Sequence, residues 1–280
     1  MSFHIGKNNV SFKNKKILIT GAANGIGKEL AKLFAADDAI LYLWDLDESK
    51  LDALQYELSP EGSKCEVHYR AFDLLDDDAL GNAFGAIKIA ANGVPDIVIN
   101  NAGMGFNEPL STTPNPTFET LMKLHLHIPQ KIIKSFMWEM KNRKHGHIVN
   151  VSSGQAFFKL PGWGAYAASK AALGTYSELL GVELIGTGID VTTVYPFMVN
   201  TGFYDGVEEA SPTWAGKMSM KLLPYYSNKP ETVAKKIYRA IENKKMVEMV
   251  HPINWVGYHL DTIPFVGQIV RVIASGLLNP

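Results

Sequence analysis

Seven short apolar runs stand out along the chain: KKILIT (15–20), AILYLWD (39–45), CEVHYRAFD (65–73), DIVIN (96–100), HIVNVSS (147–153), DVTTVYP (190–196) and KMVEMV (245–250). Most are rich in Ile, Val or Leu with little polar alternation, which predicts strands covered on both faces, as in a parallel sheet. Helical patterns such as GIGKELAKLFAAD and AYAASKAALGTYSELLGVELI fill the gaps between them. Strand–helix alternation with short links predicts an α/β fold: a single doubly wound parallel sheet with helices on both faces. Ligands are then expected at the carboxyl ends of the strands. No repeat, low-complexity tract or linker divides the 280 residues, so residues 1–280 read as one domain with a core over about 14–250. The segment 201–230, with three prolines and scattered aromatics, interrupts the alternation and predicts a lid over a substrate.

Composition narrows the class. The chain is 46% hydrophobic and 20% charged with a formal net charge of -1, ordinary for a globular protein. That balance gives no basic patch for nucleic acid. One cysteine, Cys65, leaves no internal disulfide and fits a reducing compartment. The N-terminus lacks the apolar run of a signal peptide, and no window approaches an uninterrupted membrane span, so a cytoplasmic location is expected. From His251 to Pro280 the only formal charges are Asp261 and Arg271, amid Trp255, Tyr258, Phe265 and several Ile and Val. That apolar segment either packs on the core or a partner subunit, or rests in a membrane interface beside a lipophilic substrate. The sequence leaves both open.

The first strand runs into ITGAANGIGKELAKLF. Gly21, Gly25 and Gly27 permit a tight turn and close backbone approach, and the N-terminus of the following helix then faces a pyrophosphate. Asn24 and Ile26 belong to the same turn. Asp45 ends the next strand, 24 residues after Gly21, near the spacing at which a carboxylate accepts hydrogen bonds from an adenosine ribose. The carboxylate repels a 2′-phosphate, and no Lys or Arg lies between Gly21 and Gly27 to attract one. NAD is therefore favoured over NADP.

The second candidate centre is AYAASKAAL, which puts Tyr166 and Lys170 at i and i+4 on one helical face. An ammonium near a phenol favours the phenolate and is expected to lower its pKa from about 10. Such a tyrosine takes a proton from an alcohol or gives one to a carbonyl. Ser153 lies 13 residues earlier in NVSSG, where a strand ends in hydroxyls suited to a substrate oxygen.

Together, TGAANGIG, NNAG (100–103), Ser153 and Tyr166-x3-Lys170 resemble the short-chain dehydrogenase/reductase family over roughly residues 14–250. The resemblance implies a Rossmann-type dinucleotide-binding and catalytic domain with Tyr166 as general acid/base. It implies that Lys170 binds the nicotinamide ribose and Ser153 orients the substrate oxygen. Asp73 and Leu74 in AFDLL would sit near the adenine, and Asn100 and Gly103 would form the cofactor wall. Pro196, Val199 and Thr201 in YPFMVNTG would meet the carboxamide end. Phe197 stands where the family usually has glycine. LYLWDLDE, HGHIVNVSS, VNTGF and the apolar C-terminus look most like the retinol and 17-beta-hydroxysteroid dehydrogenases. That likeness implies oxidation or reduction of a lipophilic secondary or allylic alcohol, peripheral membrane contact through 251–280, and a homodimer or homotetramer. The other readings are a non-catalytic NAD-binding sensor or scaffold and a soluble reductase of small polar carbonyls.

LMKLHLHIP (121–129) places His125 and His127 one residue apart on a helix, which sends them to opposite sides, so they are no ligand pair. None of the eight histidines joins the acids and thiols of a zinc site, and no metal is expected. In the family, the position of His125 normally holds an asparagine, the fourth member of the catalytic set, whose main-chain carbonyl holds a water leading to the lysine. Pro129 has no N–H for the carbonyl of residue 125, so that carbonyl is expected to be free. The imidazole, titrating near neutrality, is expected to be able to carry protons as well.

Overall fold

A computed structural model of the chain describes residues 11–60, 63–158, 160, 162–199 and 227–261. All seven predicted strands form: β1 (Lys16–Thr20), β2 (Ile40–Asp45), β3 (Glu66–Ala71), β4 (Ile97–Asn100), β5 (Gly146–Val151), β6 (Ile189–Tyr195) and β7 (Val247–Met249). They make one sheet in the order β3-β2-β1-β4-β5-β6-β7. Every pairing is parallel, with Ile19 opposite both Leu43 and Ile99, and Asn100 opposite Asn150. Burial follows position. β4 and β5 are buried along their whole length, whereas β3 and β7, at the two edges, carry exposed residues.

Helices α1 (Gly25–Ala35), α2 (Glu48–Leu58), α3 (Asp77–Ala90), α4 (Asn115–Met122), α5 (Ile128–Arg143), α6 (Gly164–Glu183), α7 (Pro230–Glu242) and α8 (Pro252–Asp261) follow in chain order. Local chemistry starts several of them: Asn24, Asp47 and Asp76 each accept from the first N–H groups of α1, α2 and α3. One core lies under α1, α2 and α7, with Phe12, Leu30, Phe34 and Ile237 against Ile17, Ile19 and Leu41. The other lies under α3, α5 and α6, with Leu80, Ile133, Phe136 and Met140 against Leu18, Val98 and Ile148.

Between α4 and α5 the helix widens into a π-helical stretch, Lys123–His127, where the Ile128 N–H bonds to the Lys123 carbonyl. Pro129 accounts for the break, because an imino acid cannot continue the α-helical ladder and a wider register brings the chain past it. His125 is buried there and His127 is exposed, on opposite sides as the spacing predicts.

The sheet order reverses direction between β1 and β4, which opens a crevice at their carboxyl ends.

Candidate active site

A cleft of about 290 Å³ fills the crevice. At one end, Gly21, Asn24, Gly25 and Ile26 line it from the turn between β1 and α1. Two glycines there are dictated by space. Gly21 has φ +65°, and a Cβ on it would lie 2.8 Å from the Ala102 Cα. A Cβ on Gly27 would lie 2.1 Å from the Gly21 carbonyl oxygen, so helix α1 packs on the turn only without a side chain. Asp45, at the tip of β2, accepts from the Ala23 N–H at 2.9 Å and the Leu46 N–H at 2.7 Å, which fixes its carboxylate on the cleft wall.

The opposite end holds Ser153, Tyr166 and Lys170. Ser153 follows the end of β5, and its hydroxyl caps the short turn Gly154–Ala156 by accepting from the Gln155 N–H at 3.2 Å. Tyr166 sits in the first turn of α6, hydrogen-bonded to the Ser153 hydroxyl, and Lys170 lies one helical turn further on. Lys170 is 3% exposed, and its Nζ donates to the Val151 carbonyl at 2.9 Å.

The expected pKa relation is reversed. Burial pushes the Tyr166 phenol up to about 12, although its hydrogen bond with Ser153 works in the other direction. Burial also draws the Lys170 ammonium down to about 7. Desolvation penalises both charged forms, and with Lys170 tied to a main-chain carbonyl it outweighs any help the ammonium gives the phenolate. Burial disfavours the charged form of each group, so the two proton affinities move in opposite directions from their ordinary values.

The chain carries a matching family signature. The model described as short chain dehydrogenase matches residues 15–211, most of the chain. The chain belongs to the short-chain dehydrogenase family. It is 31% identical over 267 residues to the probable oxidoreductase EphD of Mycobacterium tuberculosis, a match covering 92% of this chain. It spans 45% of that longer relative. It is 29% identical over 248 residues to epidermal retinol dehydrogenase 2 of Mus musculus, covering 87% of this chain and 76% of the relative. A short-chain dehydrogenase from Burkholderia phymatum, solved in complex with NAD, superposes with a TM-score of 0.82 at 24% identity. That match covers 92% of this chain and 96% of the other, and shows the same fold.

Within this family fold, the cleft gathers Gly21, Asn24, Gly25, Ile26, Asp45, Gly103, Ser153, Tyr166, Lys170, Pro196 and Val199, all anticipated from sequence. Asn100 departs from expectation. Its side chain is buried and donates to Asn150 Oδ1 at 2.8 Å, away from the cleft. Its neighbour Asn101 lines the cleft instead, anchored by Nδ2 to the carbonyls of Thr20 at 3.1 Å and Gly21 at 3.0 Å. Side chains alternate along a strand, so extending the phase of β4 by one residue would have singled out Asn101. Ala102, Val151, Ser152 and Met198 also line the cleft without having been singled out.

Gly27 supports the turn from behind rather than lining the cleft. Asp73 is exposed just past β3 and caps its own loop through the Leu75 N–H at 2.8 Å, while Leu74 is buried in the core. Both are outside the lining of the cleft, though Phe72 beside them bonds to the Asp45 carbonyl at 2.9 Å. Thr201 and most of the expected lid lie outside the described residues.

His125 also stands behind the lining, fully buried. The expectation that its imidazole carries protons is overturned. Burial, reinforced by the nearby Lys170 charge, holds its pKa well below 6.5, so the ring is neutral. Both ring nitrogens are already engaged, with the Met104 N–H at 3.1 Å and the Ser169 hydroxyl at 2.8 Å.

The C-terminal helix packs beside the end of β6 and the turn after Ser153. Asn254 of α8 is buried and donates to the Tyr195 carbonyl at 2.6 Å. Gly257 meets the Phe158 ring, where a Cβ would come within 2.5 Å. Phe158 in turn packs on Phe197 at 5.5 Å between ring centres, and the carbonyl of Phe197 is held by Asn228 at 2.6 Å. Met198, not the residue replacing the family's glycine, takes the positive φ of 37° in this turn. Packing on the core is thus the reading that applies to the described part of the tail. Trp255 nonetheless remains 60% exposed.

Proposed function

We propose that the protein is an NAD-dependent oxidoreductase that interconverts a lipophilic secondary or allylic alcohol and its carbonyl. The observation that carries this reading is the Ser153–Tyr166 hydrogen bond at the floor of a cleft whose other end presents Asp45 beside a glycine turn. The residues present fit the cofactor. Gly21 and Gly27 leave a cradle that a Cβ would fill, and Asp45 suits a ribose while repelling a 2′-phosphate. In this reading the exposed Asp73 lies toward the adenine end, and Gly103, Asn101, Pro196 and Val199 toward the nicotinamide end.

Bound in this cradle, NAD+ would supply a hydride acceptor for oxidation of the carbon that bears the substrate oxygen, and NADH a hydride donor for the reverse. Tyr166 Oη takes the alcohol proton in oxidation or returns it in reduction, while Ser153 Oγ holds the oxygen. Lys170 binds the nicotinamide ribose and passes protons between Tyr166 and solvent. The His125 carbonyl, which Pro129 deprives of an α-helical donor, serves a water on that route. Binding of a positively charged ring close to Tyr166 would favour the phenolate that burial alone disfavours.

The lipophilic substrate is supported by Phe158, Phe197 and α8 beside the catalytic turn, and by the exposed Ile253, Trp255 and Tyr258 of that helix. Retinol dehydrogenase among the relatives points in the same direction. Contact of α8 with a membrane surface and a homo-oligomer joined through the exposed Leu179, Val182 and Ile185 belong to the same proposal. No helix among the described residues is long and apolar enough to cross a membrane.

A second reading is a sensor that binds NAD without turning it over. It is favoured by the neutral Tyr166 and by His125 in the asparagine's place. NADH fluorescence with a panel of hydroxysteroids, retinoids and simple alcohols separates the two. Turnover of a large apolar alcohol supports the enzyme, whereas tight NADH binding with no turnover across the panel supports the sensor.

A further inference from the structure

His125 holds more connections than packing requires. Ser169 donates its hydroxyl proton to the Tyr166 carbonyl at 2.7 Å. A hydroxyl has one proton, so at its 2.8 Å contact with His125 Nδ1 the serine oxygen must accept. Nδ1 therefore carries the proton. On the far side of the ring, the Met104 N–H donates to Nε2 at 3.1 Å, so Nε2 presents its lone pair. The network admits one tautomer, Nδ1–H, and one charge state, neutral. The ring also stands at 90° to the Tyr166 ring, 5.5 Å between centres. A Cβ on Gly103 would lie 3.1 Å from His125 Nε2 and 3.3 Å from Lys170 Nζ, so the glycine leaves the room that both side chains fill.

We propose that His125 is a positioning residue, an uncharged crossbrace that ties the Gly103–Met104 wall of the cleft to the Tyr166 carbonyl through Ser169. It sets the distance between the wall and the helix turn that carries Tyr166 and Lys170, and no proton passes through its imidazole. The brace rests on the proposed dehydrogenase reading for its effect on rate, but not for its geometry. An asparagine side chain reaches only as far as Nδ1 and a glutamine only as far as Nε2. Each keeps one arm of the brace and loses the other.

The test uses the full chain with 15N-labelled histidine, the variants Ser169→Ala, His125→Asn and His125→Gln, and two readouts that need no turnover. Imidazole NMR should show Nδ1 protonated and Nε2 unprotonated, unchanged from about pH 8 to about pH 5. Hydrogen exchange at the Met104 amide should quicken about tenfold in Ser169→Ala, where the ring loses its anchor. In activity, Ser169→Ala and His125→Gln should lower kcat on the order of 10²-fold, with KM and the midpoints of the pH profile unmoved. An Nε2–H ring, a ring titrating near 6.5, or an unchanged Met104 amide overturns the brace. So does a shifted pH midpoint in His125→Gln. Absence of turnover with intact NMR and exchange signatures counts against the dehydrogenase reading alone. Turnover with altered signatures counts against the brace alone.

Discussion

The Nζ of Lys170 stands 5.9 Å from the centre of the Tyr166 ring and spends its hydrogen bond on the Val151 carbonyl, 2.9 Å away. The pair to which the proposal gives the chemistry is thus two buried groups, in each of which the loss of water disfavours the charged form.

That arrangement makes stability depend on pH. Lys170 is drawn from 10.5 to about 7, so in that window the unfolded chain binds a proton that the native chain does not. Stability must therefore rise as pH climbs from about 7, until Tyr166, raised from 10.0 to about 12, reverses the trend above about 10. Lys170→Met is expected to abolish the rise. Denaturant midpoints of the cofactor-free proteins at about pH 7 and about pH 9.5 check this, with a difference on the order of a few kcal/mol. Parallel pH dependence in both proteins would mean that Lys170 stays fully charged in the fold.

Asp45 separates two tasks that one substitution can resolve. Its Oδ2 holds the Ala23 N–H at 2.9 Å, while its charge faces the cleft. Asp45→Asn keeps an acceptor for Ala23 and removes the charge. NAD affinity is expected to fall about tenfold and NADP affinity to rise. Titration of NADH and NADPH fluorescence reads both. Tighter binding of NADPH by the unaltered chain would contradict the assignment.

Gly257 is where the C-terminal helix meets Phe158, two residues past the short turn that Ser153 caps. In Gly257→Val the added side chain displaces the Phe158 ring, whose tip occupies that space. The cost in stability is about 1 kcal/mol, because a ring edge yields more easily than backbone. KM for a bulky alcohol is expected to change several-fold while NAD affinity holds. An equal loss of both would place α8 in the scaffold rather than beside the substrate.

The fold was legible because its strands are short apolar runs that only a covered parallel sheet accommodates, and all seven formed where the pattern placed them. Gly21, Asp45, Ser153, Tyr166 and Lys170 were legible because each residue type answers a local need at a strand end or helix start. What escaped depends on contacts between distant segments. The inward turn of Asn100 is set by Asn150, 50 residues later, and left Asn101 to face the cleft. The neutral state of His125 is set by burial, by Lys170 and by its bonds to Met104 and Ser169, which helix periodicity does not contain. The direction of the Tyr166 shift failed for the same reason. Spacing put an ammonium beside a phenol, but only the packed structure shows that desolvation prevails.

The most direct test of the account is Tyr166→Phe, measured for NADH formation from the best alcohol in the panel and for NADH binding by fluorescence. The substitution removes one buried hydroxyl whose partner, Ser153, remains at the cleft. Turnover is expected to fall on the order of 10³-fold with NADH affinity nearly unchanged, as loss of the general acid/base requires. Turnover within a few-fold of the unaltered protein, or an equal collapse of turnover and binding, would contradict the role given to Tyr166.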